Sequence, residues 1–534
     1  MSSIILPILW SGFEYLSHQE DGIHWMLNNE INGTMIDLKD KPADRRHVRG
    51  GIQADEMGLG KTIQMTATMR ANPQTRTLVL VPVALQETWI GVLVRVGFQV
   101  YILRRKTTGS KLLWGLRSSC TRATIVSGTG LVQVANYEKV HRYPSLFGLP
   151  YGRIVLDEAH RIANSNTVLF RAVCELNAKI RWVLTGTPIV NSWEDLRSIL
   201  VFLGISLSAQ PVGTEFTKAR CLSQIGKLTL HRAMDDERRH IDAAPPIPRF
   251  EKNILEFASD AEAEFYRGVQ GAIESSLAER HEDVVEEGGQ GWKFQLYMRL
   301  RQISIHPQVY IQARKRGRGG YSRPSWTEPS TKFLALAKII QEERTSAEND
   351  GAKKPRYLIF CQFTDEMDLL GKYLEDIGLG LKVYKFAGGM TDVQRIRTLE
   401  KARSEGDCFL IQLQAGGCGL NLQEFNRVVF MSPWWTQALM DQAVARAVRI
   451  GQTDSVKVFH LLLAEEESLN IDQEILKKAE MKKGMLQRFF HFTVNARGEC
   501  LANLDDGETE TENDDDIPED IPRDIPRDIP REID

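Results

Sequence analysis

Three short stretches carry residue types spaced for phosphate chemistry. The first, GIQADEMGLGKTIQM at residues 51–65, holds Gly58, Gly60, Lys61 and Thr62 within five positions. Glycines at those points let a backbone approach phosphate oxygens that a side chain would obstruct. Lys61 can bring positive charge to β- and γ-phosphates, and the Thr62 hydroxyl can ligate Mg²⁺. The helix expected from TIQMTATM would aim its positive dipole end at the same place. Asp55 occupies the position where such a loop ordinarily begins with glycine. It falls where the tight turn starts, so Asp55, Glu56, Met57, Gly58, Leu59, Gly60, Lys61 and Thr62 together form a candidate nucleotide cradle. The second stretch, RIVLDEAH at 153–160, places Asp157 and Glu158 directly after an apolar run. An aspartate there suits Mg²⁺, a hard ion that prefers oxygen ligands, and the neighbouring glutamate can orient and deprotonate a water. A lone Asp-Glu pair is more often an acidic helix cap; the upstream GKT makes that the lesser reading. The third, DQAVARAVRIGQT at 441–453, spaces Gln442, Arg446 and Arg449 at i, i+4 and i+7. That spacing predicts one shared helix face, with Gly451 as a stop. Two arginines so aimed can clamp charge developing on a γ-phosphate, worth about 10³–10⁵ in rate.

The elements that must position these groups are legible as a repeated grammar. TLVLVP, ATIVSG, RIVLDEAH and RWVLTGTP read as buried strands, separated by helical stretches such as TIQMTATMR and NTVLFRAVCEL. RYLIFCQF, LKVYKF, CFLIQL, RVVFMS and VKVFHLLL repeat the pattern from 355 to 463. Continuous Val/Ile/Leu strands alternating with helices predict parallel sheets covered on both faces, two of them in tandem. Between them, FASDAEAEFYRGVQGAIESSLAERHEDVVEE and QLYMRLRQISIHP read as helices, and RKRGRGGYSRPSW at 314–326 as a basic flexible linker. Arg314, Lys315, Arg316 and Arg318 could meet phosphates or serve nuclear import; a solvated linker is the plainer alternative.

Bulk properties bound the class. A chain of 534 residues with 42% apolar and 26% charged content fits a soluble protein of two or three domains. Its longest apolar runs fall short of the roughly 20 residues a bilayer requires, so no membrane partner is expected. The N-terminus lacks a basic n-region, and export is not expected. Seven scattered cysteines without a C-x-x-C pair predict reduced thiols and no zinc module. The net charge of −3 hides a mildly basic body and a strongly acidic end at 505–534. That end, closing on DDIPEDIPRDIPRDIPREID, has too many prolines and too few large apolar groups to fold, and is expected to be disordered.

DEMGLGKT, DEAH and LTGTPIVNSWEDLRSIL (184–200) resemble the helicase-related ATPases of the Swi/Snf type in superfamily two. LSHQEDGIHWML, LVLVPVALQETWI, VANYEKV, YLIFCQFTDEMDLL, QAGGCGLNL and DQAVARAVRIGQT match in the same order, so the likeness spans roughly residues 13–465. The resemblance implies an α/β fold of two tandem RecA-like parallel-sheet lobes. The expected layout is an ATP-binding lobe at 10–205, a helical insertion and basic linker at 206–330, and a C-terminal lobe at 331–485. A helical extension at 486–504 and the acidic tail at 505–534 would follow. It implies ATP and Mg²⁺ as cofactors, adenine recognition by Gln19, coupling through LTGTP, and lobes that close on ATP. Double-stranded DNA is the implied partner, with nucleosomes as a further one, and the nucleus the implied location. Gln19 stands farther from Lys61 than is usual, with KDKPADRRHVRGG as a polar insertion between them. The second lobe departs from the family at Gln412, Thr436, Ala445 and Val448, which puts the coupling of hydrolysis to movement in question. Trp434 and Trp435 could stack near DNA or pack in a core. A catalytically weak, ATP-gated DNA-binding scaffold and a strand-separating helicase are the competing readings.

Overall fold

In the computed structural model, residues 5–37, 45–105, 112–117, 130–205, 219–241, 244–283, 291–317, 321–412, 420–449, 451–464 and 470–493 are described. The chain divides into two compact units. One runs to Ala244 and takes up the chain again at Lys482; the other covers Pro245–Met481.

In the first unit, Thr34–Asp37 (β1) and Arg45–Val48 (β2) pair as an antiparallel ribbon. Part of the stretch expected as a polar insertion is therefore a strand. Gly50–Gln53 (β3), Arg76–Val81 (β4), Gln99–Arg105 (β5), Leu112–Leu116 (β6), Leu131–Asn136 (β7), Tyr151–Asp157 (β8), Ala178–Leu184 (β9) and Thr229–Leu230 (β10) form one sheet. Its order is β10-β3-β9-β8-β4-β7-β5-β6, with every pairing parallel except β5 with β6. Successive strand residues point to opposite faces, which is why these strands read as unbroken apolar runs. Leu78, Leu80, Ile154, Leu156 and Val183 enter one buried cluster, while Val79, Val81, Val155, Trp182 and Leu184 enter another. Parallel neighbours end on the same side, so the turns after β3, β9 and β8 lie next to one another, where open α/β sheets hold ligands.

A buried ion pair anchors the helix Ser17–Ile31 to this sheet. Arg153 donates from Nε and Nη2 to the two oxygens of Glu30, each at 2.5 Å, with both side chains 0% exposed. Trp182 Nε1 and Asn72 Nδ2 complete the carboxylate at 2.8 and 2.7 Å.

In the second unit, Arg249–Leu255 (β11), Tyr357–Cys361 (β12), Val383–Phe386 (β13), Cys408–Gln412 (β14), Arg427–Phe430 (β15) and Lys457–Leu463 (β16) form an all-parallel sheet in the order β11-β16-β15-β12-β14-β13. The stretch 206–330 is divided rather than set apart. Its residues up to Ala244 lie in the first unit and contribute β10, and from Pro245 it supplies β11 and helices to the second. Those helices, Asp260–Asp283, Gly291–Ile305 and Pro307–Arg316, bury Phe265, Tyr266, Leu300, Ile303 and Ile311 in one cluster with Trp435 and Ile471. The expected flexible linker at 314–326 is corrected in part. Arg314–Arg316 closes a helix, Trp326 N donates to Gln308 Oε1 at 2.6 Å, and Arg323 stacks 3.5 Å over Phe265. Its aromatic residues gave it a core to join. Arg318, the stretch ATIVSG and the acidic tail lie outside the described residues.

Candidate functional site

The loop after β3 is shaped by its glycines. Gly58 and Gly60 adopt φ of +99° and +81°, and Gly60 begins the helix Lys61–Ala71. A Cβ on Gly60 would stand 2.6 Å from Gln19 Nε2, so the left-handed turn and the close approach both require glycine. Gln19 thus lies against the loop despite the intervening ribbon, with its Oε1 accepting from Leu16 N at 3.2 Å. Lys61 Nζ donates to the carbonyls of Asp55 and Glu56 at 2.6 and 3.2 Å. The turn after β9 reaches the same point, since a Cβ on Gly186 would lie 3.9 Å from Lys61 Nζ. Thr62 stands at the first turn of the helix, half-buried.

The acidic pair ends β8. Asp157 Oδ2 accepts from Trp89 Nε1 at 2.6 Å, Oδ1 accepts from Glu158 N at 3.1 Å, and its carbonyl accepts from Tyr137 Oη at 2.8 Å. Burial, then the neighbouring Glu158, pushes the Asp157 carboxyl upward, against the pull of Trp89 and Lys61. Burial, then Asp157, likewise holds the Tyr137 phenol well above its ordinary range and keeps it a donor. Glu158 has φ +53°, the one positive φ at a non-glycine among the described residues. Such a conformation costs about 1–3 kcal/mol and persists where surroundings impose it. Here Glu158 N is held by Leu184 O at 2.9 Å, and Glu158 Oε2 lies 3.4 Å from His160 Nδ1.

The structure therefore brings Gln19, the loop 55–62, Gly186, Asp157 and Glu158 to the ends of adjacent strands of one sheet. Trp89, Tyr137 and Arg232 were not foreseen in roles. Trp89 and Tyr137 stand in LVLVPVALQETWI and VANYEKV, where nothing singles either ring out for a polar contact. Arg232, which pairs with Asp55, lies 177 residues away with no local signal.

In the second unit the expectation of a single helical face for Gln442, Arg446 and Arg449 is overturned. The helix Gln437–Val444 stops before either arginine. Beyond it, carbonyls turn to other partners: Arg446 O accepts from Leu422 N at 3.0 Å and Ala447 O from Gln452 Nε2 at 3.2 Å, while Arg446 N and Ala447 N make i+3 bonds to Ala443 O and Val444 O. Gly451, at φ +98°, follows this turn rather than ending the helix. Gln442 and Arg446 are 4% and 3% exposed, and Arg449 donates to Asn421 Oδ1 at 3.0 Å. Gln412 Oε1 accepts from Gly388 N at 3.2 Å, Thr436 immediately precedes the helix without a side-chain capping bond, and Ala445 and Val448 lie in the turn. Trp434 and Trp435, 8% and 5% exposed, pack on the Arg301 guanidinium at 4.8 and 5.7 Å, so the core reading holds over DNA stacking. Residues 414–419 of QAGGCGLNL lie outside the described residues. No helix among the described residues is long and apolar enough to cross a membrane.

The SNF2-related domain matches residues 18–309, more than half of the chain, and the helicase conserved C-terminal domain matches residues 331–451. The DNA repair protein RAD5 of Yarrowia lipolytica is 27% identical over 81% of this chain and 56% of that protein. The SWI/SNF-related matrix-associated actin-dependent regulator of chromatin subfamily A member 1 of Mus musculus is 27% identical over 90% of this chain and 44% of that protein. The chain thus spans about half the length of these relatives. Among solved structures, the Sulfolobus solfataricus SWI2/SNF2 ATPase core in complex with dsDNA is similar at 23% identity, covering 92% of this chain and all of that one, with a TM-score of 0.37. On the family match, the chain belongs to the SNF2-related family of helicase-like proteins.

Proposed function

We propose that the chain is a DNA-dependent ATPase that translocates on double-stranded DNA and displaces or remodels what is bound there, in the nucleus. The observation that carries this reading is the meeting of Lys61, Gly186 and Asp157–Glu158 at the ends of the neighbouring strands β3, β9 and β8. The residues fit ATP with Mg²⁺: the positive-φ glycines leave the loop backbone open where a Cβ would intrude, and the hydroxyl and carboxylate of Thr62 and Asp157 are hard oxygen donors. Bound Mg²⁺ would offset phosphate charge as it develops. Gln19 reads adenine; Asp55, Glu56, Met57, Gly58, Leu59 and Gly60 shape the cradle, and Lys61 meets the β- and γ-phosphates. Thr62 and Asp157 hold the metal, with Trp89 and Tyr137 fixing Asp157 through its side chain and its carbonyl. Glu158 receives the proton of the attacking water, and its imposed backbone conformation directs its carboxylate. Arg446 and Arg449 are the second unit's cationic groups for phosphate charge, and Gln442 its neutral amide.

The test is ATP turnover with no nucleic acid, single-stranded DNA, duplex DNA and nucleosomes, using wild type, Lys61→Ala and Glu158→Gln. Duplex should stimulate wild type, with a salt-sensitive, sequence-independent requirement for the phosphate backbone. Glu158→Gln should lose about 10²–10⁴ in rate. Full stimulated turnover in either variant would sink the assignment. A second reading, an ATP-gated scaffold, draws support from the burial of Arg446; it requires duplex binding without stimulation. Strand release in an unwinding assay would instead mark a helicase.

A further inference from the structure

Asp55 puts a carboxylate into a loop whose other features suit phosphates, and its charge must be kept from repelling them. The side chain is 0% exposed and both oxygens have partners. Arg232 Nε donates to Oδ1 at 2.9 Å and Nη2 to Oδ2 at 2.5 Å; Gln53 Nε2 and Gln64 Nε2 add bonds to Oδ2 at 3.0 and 3.1 Å. The same guanidinium donates to Gln64 Oε1 at 3.0 Å and to the carbonyl of His18, the neighbour of Gln19. One side chain therefore joins the phosphate loop, the helix that follows it and the helix bearing Gln19.

The segment carrying Arg232 is stitched to the loop by its backbone as well. Ala54 N donates to Leu230 O at 2.7 Å, Glu56 N to Arg232 O at 3.0 Å, and Met234 N to Glu56 Oε2 at 2.8 Å. His231 Nδ1 lies 2.9 Å from Ala54 O, and its ring stacks on Phe490 at 3.5 Å. Arg232 is thus held where it can meet Asp55 with two N–H groups, the geometry a carboxylate rewards.

We infer that Arg232 is a positioning residue for the phosphate loop: its two-point pairing with Asp55 neutralises the buried acid and fixes the turn from which Gly58–Thr62 grip a triphosphate. This rests on the ATP site proposed above. Asp55 then serves as the anchor of the cradle, satisfied entirely by protein. Removing Arg232 alone leaves a buried, uncompensated negative charge beside incoming phosphates. Removing the charge of Asp55 in the same chain relieves it. An arginine that merely filled space would leave a cavity that Asp55→Asn does nothing to repair.

The experiment measures the Kd of a fluorescent ATP analogue by titration of the full chain, with melting temperatures recorded alongside. The proteins are wild type, Arg232→Gln, Asp55→Asn, the double variant, Arg232→Lys and Lys61→Ala. Arg232→Gln is expected to weaken nucleotide binding about tenfold or more, and the double variant to recover part of that loss, binding about threefold or more tighter than Arg232→Gln. Arg232→Lys, which keeps charge but loses the fork, should fall between and also serves should the glutamine variant not fold. Wild-type affinity in Arg232→Gln or Arg232→Lys, or a double variant as weak as Arg232→Gln, overturns the inference. Loss of the ATP-site reading looks different: wild type would not bind the analogue, or Lys61→Ala would bind it equally well, and the inference would fall with it.

Discussion

Glu366 carries a pH dependence whose size follows from its surroundings. It sits just after β12, at the start of the helix Thr364–Asp376, with 0% exposure. Its Oε2 accepts from Gln362 N at 2.8 Å and Phe363 N at 3.1 Å. Burial raises its carboxyl from 4.5 to about 7, although those N–H groups, Lys332 and Arg301 all favour the charged form. Lys332 is committed to Asp472 at 2.7 Å, and burial brings Arg301 down only to about 9, above this window. The Cys361 thiol beside Glu366 is pushed well above its ordinary range and stays neutral. Between pH 4.5 and about 7 the folded state keeps a proton that the unfolded chain has released, so stability falls as pH rises through that window. The interval of roughly 2.5 pH units, at about 1.4 kcal/mol each, amounts to about 3 kcal/mol. Glu366→Gln retains an oxygen for the two N–H groups and carries no charge at any pH. It should match wild type near pH 5 and exceed it by up to about 3 kcal/mol above pH 7. At about 2–4 °C per kcal/mol for a unit of this size, calorimetry should show a gain of roughly 6–12 °C at pH 8 and little at pH 5. An equal difference between the two proteins at both pH values refutes the reasoning.

Trp89→Phe removes the donor to Asp157 Oδ2 and leaves that oxygen buried; a loss of about 1.5–3 kcal/mol, before any packing loss, should appear in denaturant melts without nucleotide. Arg153→Met strands Glu30 and should cost about 3–5 kcal/mol in the same assay, whereas Arg153→Met with Glu30→Leu should recover only part of it, because Trp182 Nε1 then loses its acceptor. Gly60→Ala forces a side chain into a left-handed turn, at about 1–2 kcal/mol, and against Gln19 Nε2; titration with a fluorescent ATP analogue should show weakened binding in a folded protein.

Periodicity made the sheets legible because strands buried on both faces leave unbroken apolar runs, as in Leu78–Val81 and Leu358–Cys361. The short strand Thr229–Leu230 was hidden, since two residues carry no period. Arg249–Leu255 was hidden for a different reason: it is an edge strand alternating charge with exposed Phe250 and Ile254, which reads as loop. The loop 55–62 was legible because its positive-φ turns call for glycine at 58 and 60, and the acidic pair because two carboxylates directly follow an apolar strand. The arginine stretch reads as helix in sequence because i, i+4, i+7 spacing is also compatible with successive turns, and what selects between them is Leu422 N reaching Arg446 O from an earlier loop and Gln452 Nε2 folding back on Ala447 O.

A common device runs through the first unit. Glu30, Asp55 and Asp157 are all buried, and each is completed by a donor distant in sequence: Arg153, Arg232 and Trp89. Glu30 anchors the helix that carries Gln19, Asp55 begins the loop 55–62, and Asp157 ends β8. A loop of glycines has little shape of its own, because glycine gains freedom in the unfolded chain as readily as it permits a turn. Its shape must come from contacts outside it, and a carboxylate at depth supplies strong ones, since an unmet buried charge is too costly to leave unmet. The geometry of the loop is then set by residues outside it, and at the proposed ATP site substitutions at Arg232 or Arg153 should reach nucleotide affinity through the carboxylates they hold.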